Sequence, residues 1–239
     1  MKKITVLFLA LVLSISAVSG TSASAPTLSS TTVAFGDSNT DGTNWKSEGY
    51  DYDKKWVSIL QAQRPVLNFG ISGNTTGQGL NRIQSVIDTK PRTAIVMFGT
   101  NDGVLNSSFI PKTSWRQFEI NLNKIVDKFQ ANGTNVILMT ALPIIEEEYY
   151  KRHDKNLYLK YGGARAFHNE YNNITRKVAK EQGVALMDTY HHFLRFSKEE
   201  TDEALLNSGL IDSSGTHLSM YGAKILHSNL EITLKNYGY

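Results

Sequence analysis

Ser38 is the first candidate for chemistry, because it follows Gly36 in a short polar turn directly after an apolar segment. A serine at a strand-to-helix turn is where an α/β enzyme exposes a nucleophile, and the dipole of the following helix favours developing negative charge. The same turn also fits a serine that only caps a helix. Ser38 is therefore a candidate nucleophile with a structural alternative.

Two further turns offer donors for a negatively charged oxygen. GISGNTT at 70–76 contains Gly73, and GTND at 99–102 contains Asn101. A glycine lets a backbone N–H reach a cleft without a side chain in the way, and a side-chain amide is an effective oxyanion donor. Both segments also fit ordinary turns, in which Asn101 would form an Asx-turn.

His217, in GTHLS before the last predicted helix, is the histidine best placed to act as a general base. An imidazole in a loop can accept a proton from a serine hydroxyl near neutral pH. His191 and His192 are adjacent, so their side chains diverge, and no second ligand follows at metal spacing. His168 and His227 fall in predicted helices, and we interpret them as packing or surface residues.

Five short apolar segments predict the strands that position these turns. Their hydrophobicity is continuous, as in a parallel sheet that helices cover on both faces. The predicted strands are Thr31–Phe35, Val66–Ile71, Ala94–Phe98, Asn135–Ala141 and Val184–Met187. Because three candidate turns follow the first three strands, we expect them at one edge of the sheet.

Helical patterns fill the intervals between these strands. In the third of them apolar residues repeat at spacings of three and four, and Gly133 follows as a C-cap. The predicted helices are Lys55–Gln63, Gly77–Asp88, Ser114–Asn132, Ala164–Gln182 and Met220–Asn236. Strands alternating with helices predict a single α/β domain over residues 26–239.

The segment Pro143–Gly163 interrupts this alternation and is called the insertion below. It is polar and rich in tyrosine, and it follows the fourth strand, so we expect it to overhang the site. Its tyrosines would offer stacking faces to a sugar; the alternative is an ordinary polar surface loop. These residues are Tyr149, Tyr150, Tyr158 and Tyr161.

Residues 1–25 are predicted to be a secretory signal peptide. Lys2 and Lys3 precede an apolar run from Val6 to Val18, and small residues follow up to Ala25. Cleavage fits after residue 20, 23 or 25. A retained membrane anchor is disfavoured because the apolar run is short for a bilayer. We expect a secreted, extracellular protein of bacterial type, with no membrane anchor once the leader is removed.

The composition excludes several classes of protein. The chain has 239 residues, of which 41% are hydrophobic and 20% charged, so disorder, collagen and coiled coils are excluded. The net charge is +3, to which the two leader lysines contribute, and no basic stripe indicates a nucleic-acid partner. The chain has no cysteine, which excludes disulfides and a lipid-modified cysteine anchor.

Taken together, the four turns resemble the motif blocks of the SGNH hydrolases, also called the GDSL esterase/lipase family. The matching segments are FGDSN at 35–39, GISGNTT at 70–76, GTND at 99–102 and GTHLS at 215–219. The resemblance covers essentially the whole chain beyond the leader. It implies a flavodoxin-like three-layer α/β/α sandwich with five parallel strands, and neither a cofactor nor a metal.

The resemblance also implies residue roles. Ser38 would be the nucleophile and His217 its general base. The backbone N–H groups of Ser38 and Gly73 and the amide of Asn101 would form the oxyanion hole. Gly73, and not Gly70, matches the family glycine because it precedes the polar residue and threonine of that block.

One position departs from the family pattern, in which an aspartate lies three residues before the histidine. That position is Ser214 here. The Ser214 hydroxyl could orient the ring but offers no charge. Asp212 could replace the missing acid, or His217 could act in a dyad with Ser38 while a backbone carbonyl orients the ring. We favour Asp212 as the third catalytic residue, and an inactive relative of the enzymes is the remaining alternative.

The implied activity is hydrolysis of an ester through an acyl-enzyme. The family deacylates lipids, simple esters, acyl thioesters and acetylated polysaccharides, and the insertion favours O-deacetylation of carbohydrate, with a lipase or general carboxylesterase as the alternative. Two other classes are a non-catalytic carbohydrate-binding protein and a nucleotide-binding domain. Against the nucleotide-binding domain, the first loop of this chain lacks the glycine-rich motifs that bind nucleotides. The expected partner is a small or polysaccharide ester, and the oligomeric state stays open.

Overall fold

A computed structural model of the protein describes residues 31–42 and 50–239, so the predicted signal peptide lies outside the described residues. Within these ranges five parallel strands form one sheet of order β2-β1-β3-β4-β5. The strands are β1 (Thr32–Gly36), β2 (Val66–Gly70), β3 (Thr93–Met97), β4 (Asn135–Met139) and β5 (Ala185–Met187). The predicted parallel sheet is confirmed, with ends that shift by one or two residues.

Helices connect the strands. In the described ranges they are α1 (Ser38–Asp41), α2 (Trp56–Gln61), α3 (Thr76–Ile87), α4 (Trp115–Ala131), α5 (Glu146–Tyr149), α6 (Ala164–Gln182), α7 (Thr189–Ser197), α8 (Asp202–Asn207) and α9 (Met220–Tyr237). Short 3-10 turns occupy Tyr52–Lys54, Lys155–Leu157 and Leu159–Tyr161. All five predicted helices are present, whereas α1, α5, α7 and α8 were not predicted.

The sheet lies between two helical layers, which confirms the three-layer sandwich. Successive residues of a strand face opposite sides, so Val33 packs with α3, α4 and α6 while Ala34 packs with α2, α7 and α9. Both residues are fully buried. Because helices cover both faces of the sheet, the residues on both sides of a central strand are apolar.

β2 is the exception to this pattern. We expected all five strands to be buried on both faces, but Leu67 is 42% exposed and only Val66 of this strand is buried. β2 is the first strand in the sheet order, with β1 as its neighbour, and an edge strand is less completely covered.

The register of the sheet brings the candidate turns together. Gly36, the last residue of β1, is level with Gly70 of β2 and Met97 of β3. The turns that follow these strands therefore start at the same edge, on either side of the point where the strand order reverses. No helix of the described ranges has the length and apolar character needed to cross a membrane.

Candidate active site

Ser38 is the first residue of α1 and lies two residues after the end of β1 in the sequence. The turn is tight: a Cβ at Gly36 would lie 2.4 Å from the carbonyl oxygen of Met97 on β3, so only glycine fits. Asp37 caps α1 by accepting the N–H of Asn39 at 3.0 Å. Ser38 Oγ lies 3.0 Å from His217 Nε2, a distance at which the hydroxyl can donate to the imidazole.

The loop that carries His217 is held against α1 by Asn39. The Asn39 amide donates to the carbonyl of Thr216 at 3.0 Å, and its oxygen accepts the N–H of Leu218 at 3.1 Å. The two residues that flank His217 are thereby fixed relative to Ser38. We did not single out Asn39 from the sequence, and its position next to the candidate nucleophile was the available signal.

Ser214 lies on the other side of the imidazole. Its Oγ is 3.0 Å from His217 Nδ1 and 2.5 Å from Asp212 Oδ1. Asp212 is thus brought to the site, but its carboxylate reaches the ring through the hydroxyl of Ser214. Burial raises the pKa of Asp212, while hydrogen bonds from Ser214 oppose that effect.

Gly73 and Asn101 meet at the same edge of the sheet. Gly73 has φ +79°, a conformation that strains other residues, and its α-carbon faces open space. The Asn101 amide donates to the carbonyl of Asn74 at 3.1 Å, which places it against the Gly73 turn. Within the described ranges, the backbone N–H groups of Ser38 and Gly73 donate to no protein acceptor.

Arg82 of α3 holds the Gly73 turn, a role that we did not anticipate from the sequence. Its guanidinium donates to the Asn74 side chain at 2.9 Å and to the carbonyls of Phe69 and Gly36 at 2.7 and 3.0 Å. The ends of β1 and β2 are thus tied to the turn that follows β2. Desolvation lowers the pKa of Arg82.

Asp102 fixes the neighbouring Asn101 turn. Its carboxylate is fully buried and accepts the N–H and the hydroxyl of Thr76 at 3.0 and 2.6 Å. Thr76 begins α3, so the Asn101 turn is fastened to the N-terminus of that helix. Desolvation raises the pKa of Asp102.

Asp37 makes the stability of the protein depend on pH. Burial, and secondarily the charge of Asp102, raise the pKa of Asp37 to about 7. The unfolded chain loses this proton near pH 4, so the folded state binds more protons between these values and its stability falls as pH rises. We expect Asp37→Asn to gain stability relative to wild type by about 1.4 kcal/mol per pH unit between roughly pH 4.5 and 6.5. Urea unfolding of both proteins at several pH values measures this difference, and a pH-independent difference would contradict it.

The insertion packs against the His217 loop. The N–H of Ile145 donates to the carbonyl of Gly215 at 3.0 Å, and the Arg152 guanidinium donates to the carbonyl of Ser214 and, at 3.3 Å, to the hydroxyl of Thr216. The insertion therefore borders the site.

The interpretation of the insertion as a set of sugar-stacking tyrosines is wrong for two of them. Tyr149 and Tyr158 are buried, and their hydroxyl groups lie 2.9 Å apart. The Tyr158 hydroxyl also accepts the N–H of Leu105, so it joins the insertion to the loop after β3. Tyr150 and Tyr161 are only half-buried.

In the described ranges, no three histidine, aspartate or glutamate side chains are grouped in a way that could hold a metal ion.

A serine hydroxyl within hydrogen-bond distance of an imidazole, with amide donors at the same edge of a parallel sheet, is the arrangement of a serine hydrolase built on a three-layer sandwich. The sequence profile of the GDSL-like lipase/acylhydrolase family matches residues 34–225. The chain belongs to this family and is a serine carboxylic-ester hydrolase.

Individual relatives agree with this membership. The chain is 42% identical over 211 residues to the uncharacterized lipoprotein YqeF of Bacillus subtilis (strain 168), covering 83% of this chain and 87% of the relative. It is 30% identical over 151 residues to an arylesterase of Vibrio mimicus, covering 59% of this chain and 64% of that protein. The acetyl xylan esterase AlAXEase has the same fold, with a TM-score of 0.67 at 20% identity over 85% of this chain and 99% of the other.

Proposed function

We propose that the protein hydrolyses esters through an acyl-enzyme on Ser38, with His217 as general base. The observation that carries this proposal is the 3.0 Å contact between Ser38 Oγ and His217 Nε2. The oxygen of Ser38 attacks the ester carbonyl while its proton moves to Nε2. That proton then passes to the leaving alcohol, and water repeats the sequence on the acyl group.

The proposed oxyanion hole consists of the backbone N–H groups of Ser38 and Gly73 and the side-chain amide of Asn101. The first two have no protein acceptor in the described ranges, and the third is fixed against the Gly73 turn by its bond to Asn74. Arg82 and Asp102 hold these turns in place before substrate arrives. Donors that are already oriented stabilise the charge that develops in the transition state.

Asn101→Ala is expected to lower kcat about 10²–10³-fold with little change in KM, because the amide would bind an oxygen that is charged only in the transition state and intermediate. Steady-state kinetics with p-nitrophenyl acetate measure both constants. Asn236→Ala, an exposed asparagine on α9, serves as the matched control. An effect of Asn101→Ala on KM alone would make the amide a substrate-binding group.

For the substrate we propose an O-acetylated carbohydrate. A groove of about 600 Å³ lies between residues of α3, α4 and the segment that precedes α4, and its lining includes Thr75, two residues beyond Gly73 in the sequence. It is lined largely by hydroxyl and amide side chains, which suit a polar alcohol part better than a long acyl chain. These side chains include Thr75, Gln78, Asn81, Ser114, Gln117 and Asn121. The acetyl xylan esterase of the same fold acts on a substrate of this kind.

A panel of p-nitrophenyl esters from acetyl to palmitoyl, assayed beside acetate release from acetylated xylan and pectin, tests the substrate proposal. We expect the acetyl ester to be hydrolysed fastest, with rates that fall as the acyl chain lengthens, and we expect acetate release from a polysaccharide. A preference for palmitate would favour a lipase, and hydrolysis of simple esters alone would favour a general carboxylesterase.

We also propose that the protein is a single domain over residues 26–239 that is secreted after removal of a signal peptide. The leader pattern of residues 1–25 supports this proposal, and a relative that is named a lipoprotein is consistent with export. This chain has no cysteine that could carry a lipid. N-terminal sequencing of protein from the culture medium tests the proposal; retention of residues 1–25 would contradict it.

A further inference from the structure

The side chain of Ser214 lies between the carboxylate of Asp212 and the ring of His217. Its Oγ is 2.5 Å from Asp212 Oδ1 and 3.0 Å from His217 Nδ1. The other ring nitrogen, Nε2, is 3.0 Å from Ser38 Oγ. Four side chains therefore form one continuous series of polar contacts that ends at the candidate nucleophile.

The neighbours of Ser214 Oγ fix the direction of its own proton. The backbone N–H groups of Thr216 and His217 both donate to this oxygen, at 3.2 and 3.1 Å. An ionised carboxylate can only accept, so the single hydroxyl proton is directed to Asp212, the shortest of these contacts. A hydroxyl oxygen has two acceptor lone pairs, so the two backbone N–H groups share them with the Nδ1–H of the imidazole, the shortest of the three contacts at 3.0 Å. The Thr216 hydroxyl lies farther from this oxygen, at 3.3 Å.

We infer that Ser214 is a positioning residue, which selects the tautomer of His217 and couples the ring to Asp212. The inference rests on the proposed roles of Ser38 and His217. With an acceptor at Nδ1, the ring carries its proton on Nδ1, and Nε2 is left as the base for Ser38. An aspartate in direct contact with the ring performs this function in the Ser-His-Asp triad.

The proton inventory of the reaction is unchanged by the intervening hydroxyl. When the bond from Ser38 Oγ to the ester carbon forms, the Ser38 proton moves to Nε2. The protons on Nδ1 and on Ser214 Oγ stay where they are. The positive charge on the ring is stabilised by the Ser214 oxygen and, behind it, by the carboxylate of Asp212.

The loop geometry keeps this arrangement in one conformation. Asp212 is 5% exposed, and its Oδ1 also accepts the N–H of Ser214 at 2.8 Å. Its own N–H donates to the carbonyl of His217 at 2.9 Å. From the insertion, Arg152 donates to the Ser214 carbonyl. Ser214 is therefore held by bonds on both its backbone and its side chain.

Substitution of either partner tests the inference. Asp→Asn in a direct triad costs about 10⁴-fold, and since the carboxylate here acts through a hydroxyl we expect Asp212→Asn to lower kcat about 10²–10³-fold. Ser214→Ala should cost a similar factor, with KM little changed in both variants. The double variant should be no slower than the slower single variant, because both residues act through one chain of contacts. Ser214→Thr, which keeps the hydroxyl, should retain most of the activity.

Matched controls separate the inference from the proposed function. Ser213→Ala removes an exposed neighbouring hydroxyl and should leave kcat unchanged. If Ser38→Ala is inactive while Ser214→Ala stays within about threefold of wild type, the role of Ser214 is wrong and the proposed function stands. Multiplying losses in the double variant would also overturn it. If Ser38→Ala is itself active, the proposed function fails.

The tautomer of His217 gives a readout that a merely structural role would not move. ¹⁵N NMR of the wild-type protein near neutral pH should show the proton on Nδ1. In Asp212→Asn the hydroxyl of Ser214 is able to donate to Nδ1, so the proton should shift toward Nε2. A wild-type ring protonated on Nε2, or an unchanged ring in Asp212→Asn, would overturn the inference even if Ser214→Ala fails to fold.

Discussion

Ser38→Ala is expected to abolish ester hydrolysis and to leave the fold intact. Removal of the nucleophile of a serine enzyme costs on the order of a millionfold in kcat, because the remaining groups act only in concert with it. The side chain is small and carries no apolar group beyond its β-carbon, and its hydroxyl contacts His217. The thermal midpoint should therefore change little.

The measurement pairs initial rates on p-nitrophenyl acetate with circular dichroism and thermal unfolding of the same preparations. Ser107→Ala, an exposed serine in the loop after Asn101, is the matched control and should match wild type in both assays. If Ser38→Ala kept even a tenth of the wild-type rate with a native spectrum, another residue would have to be the nucleophile.

The strands were predictable because both faces of the sheet are covered. A residue such as Val33 or Ala34 is buried whichever way it points, so the sequence shows an unbroken apolar run. β2 shows the limit of this reasoning. Leu67 is as apolar as the buried strand residues, but it is exposed because β2 lies at the edge of the sheet. The order of strands depends on contacts between distant segments, which hydrophobic runs do not reveal.

Two of the helices that the sequence did not predict are too short to be recognised from local patterns. α5 and α8 contain four and six residues, so neither is long enough to show a helical repeat. α5 is also stabilised by a contact from outside itself: the Asp202 carboxylate accepts the N–H groups of Glu146 and Glu147 at its start. Such a cap, more than fifty residues away along the chain, is invisible to local reasoning.

The candidate site also has a part that the sequence predicted and a part that it did not. The turns with Ser38, Gly73 and Asn101 follow directly from the strand ends, so their meeting was foreseeable. The connection of Asp212 to His217 Nδ1 through the hydroxyl of Ser214 was not foreseeable, because the loop conformation depends on Asn39 in α1 and on Arg152 in the insertion. The burial of Tyr149 and Tyr158 was not predictable either, because the composition of a tyrosine-rich segment is the same whether its rings face solvent or pack against one another.

His217→Ala is expected to lower kcat by about the same factor as Ser38→Ala, on the order of a millionfold, because the hydroxyl is a poor nucleophile without a base at Nε2. His191→Ala removes an exposed histidine of α7 whose Nδ1 contacts Asp188 at 2.7 Å, and it should leave the rate unchanged.

The double variant Ser38→Ala/His217→Ala gives the sharper result. If the two residues form one catalytic unit, the second substitution costs nothing further, and the double variant is as slow as either single one. If the two losses multiply instead, the residues act independently. The 3.0 Å contact between Ser38 Oγ and His217 Nε2 would then be a structural hydrogen bond, and a different base would have to activate Ser38.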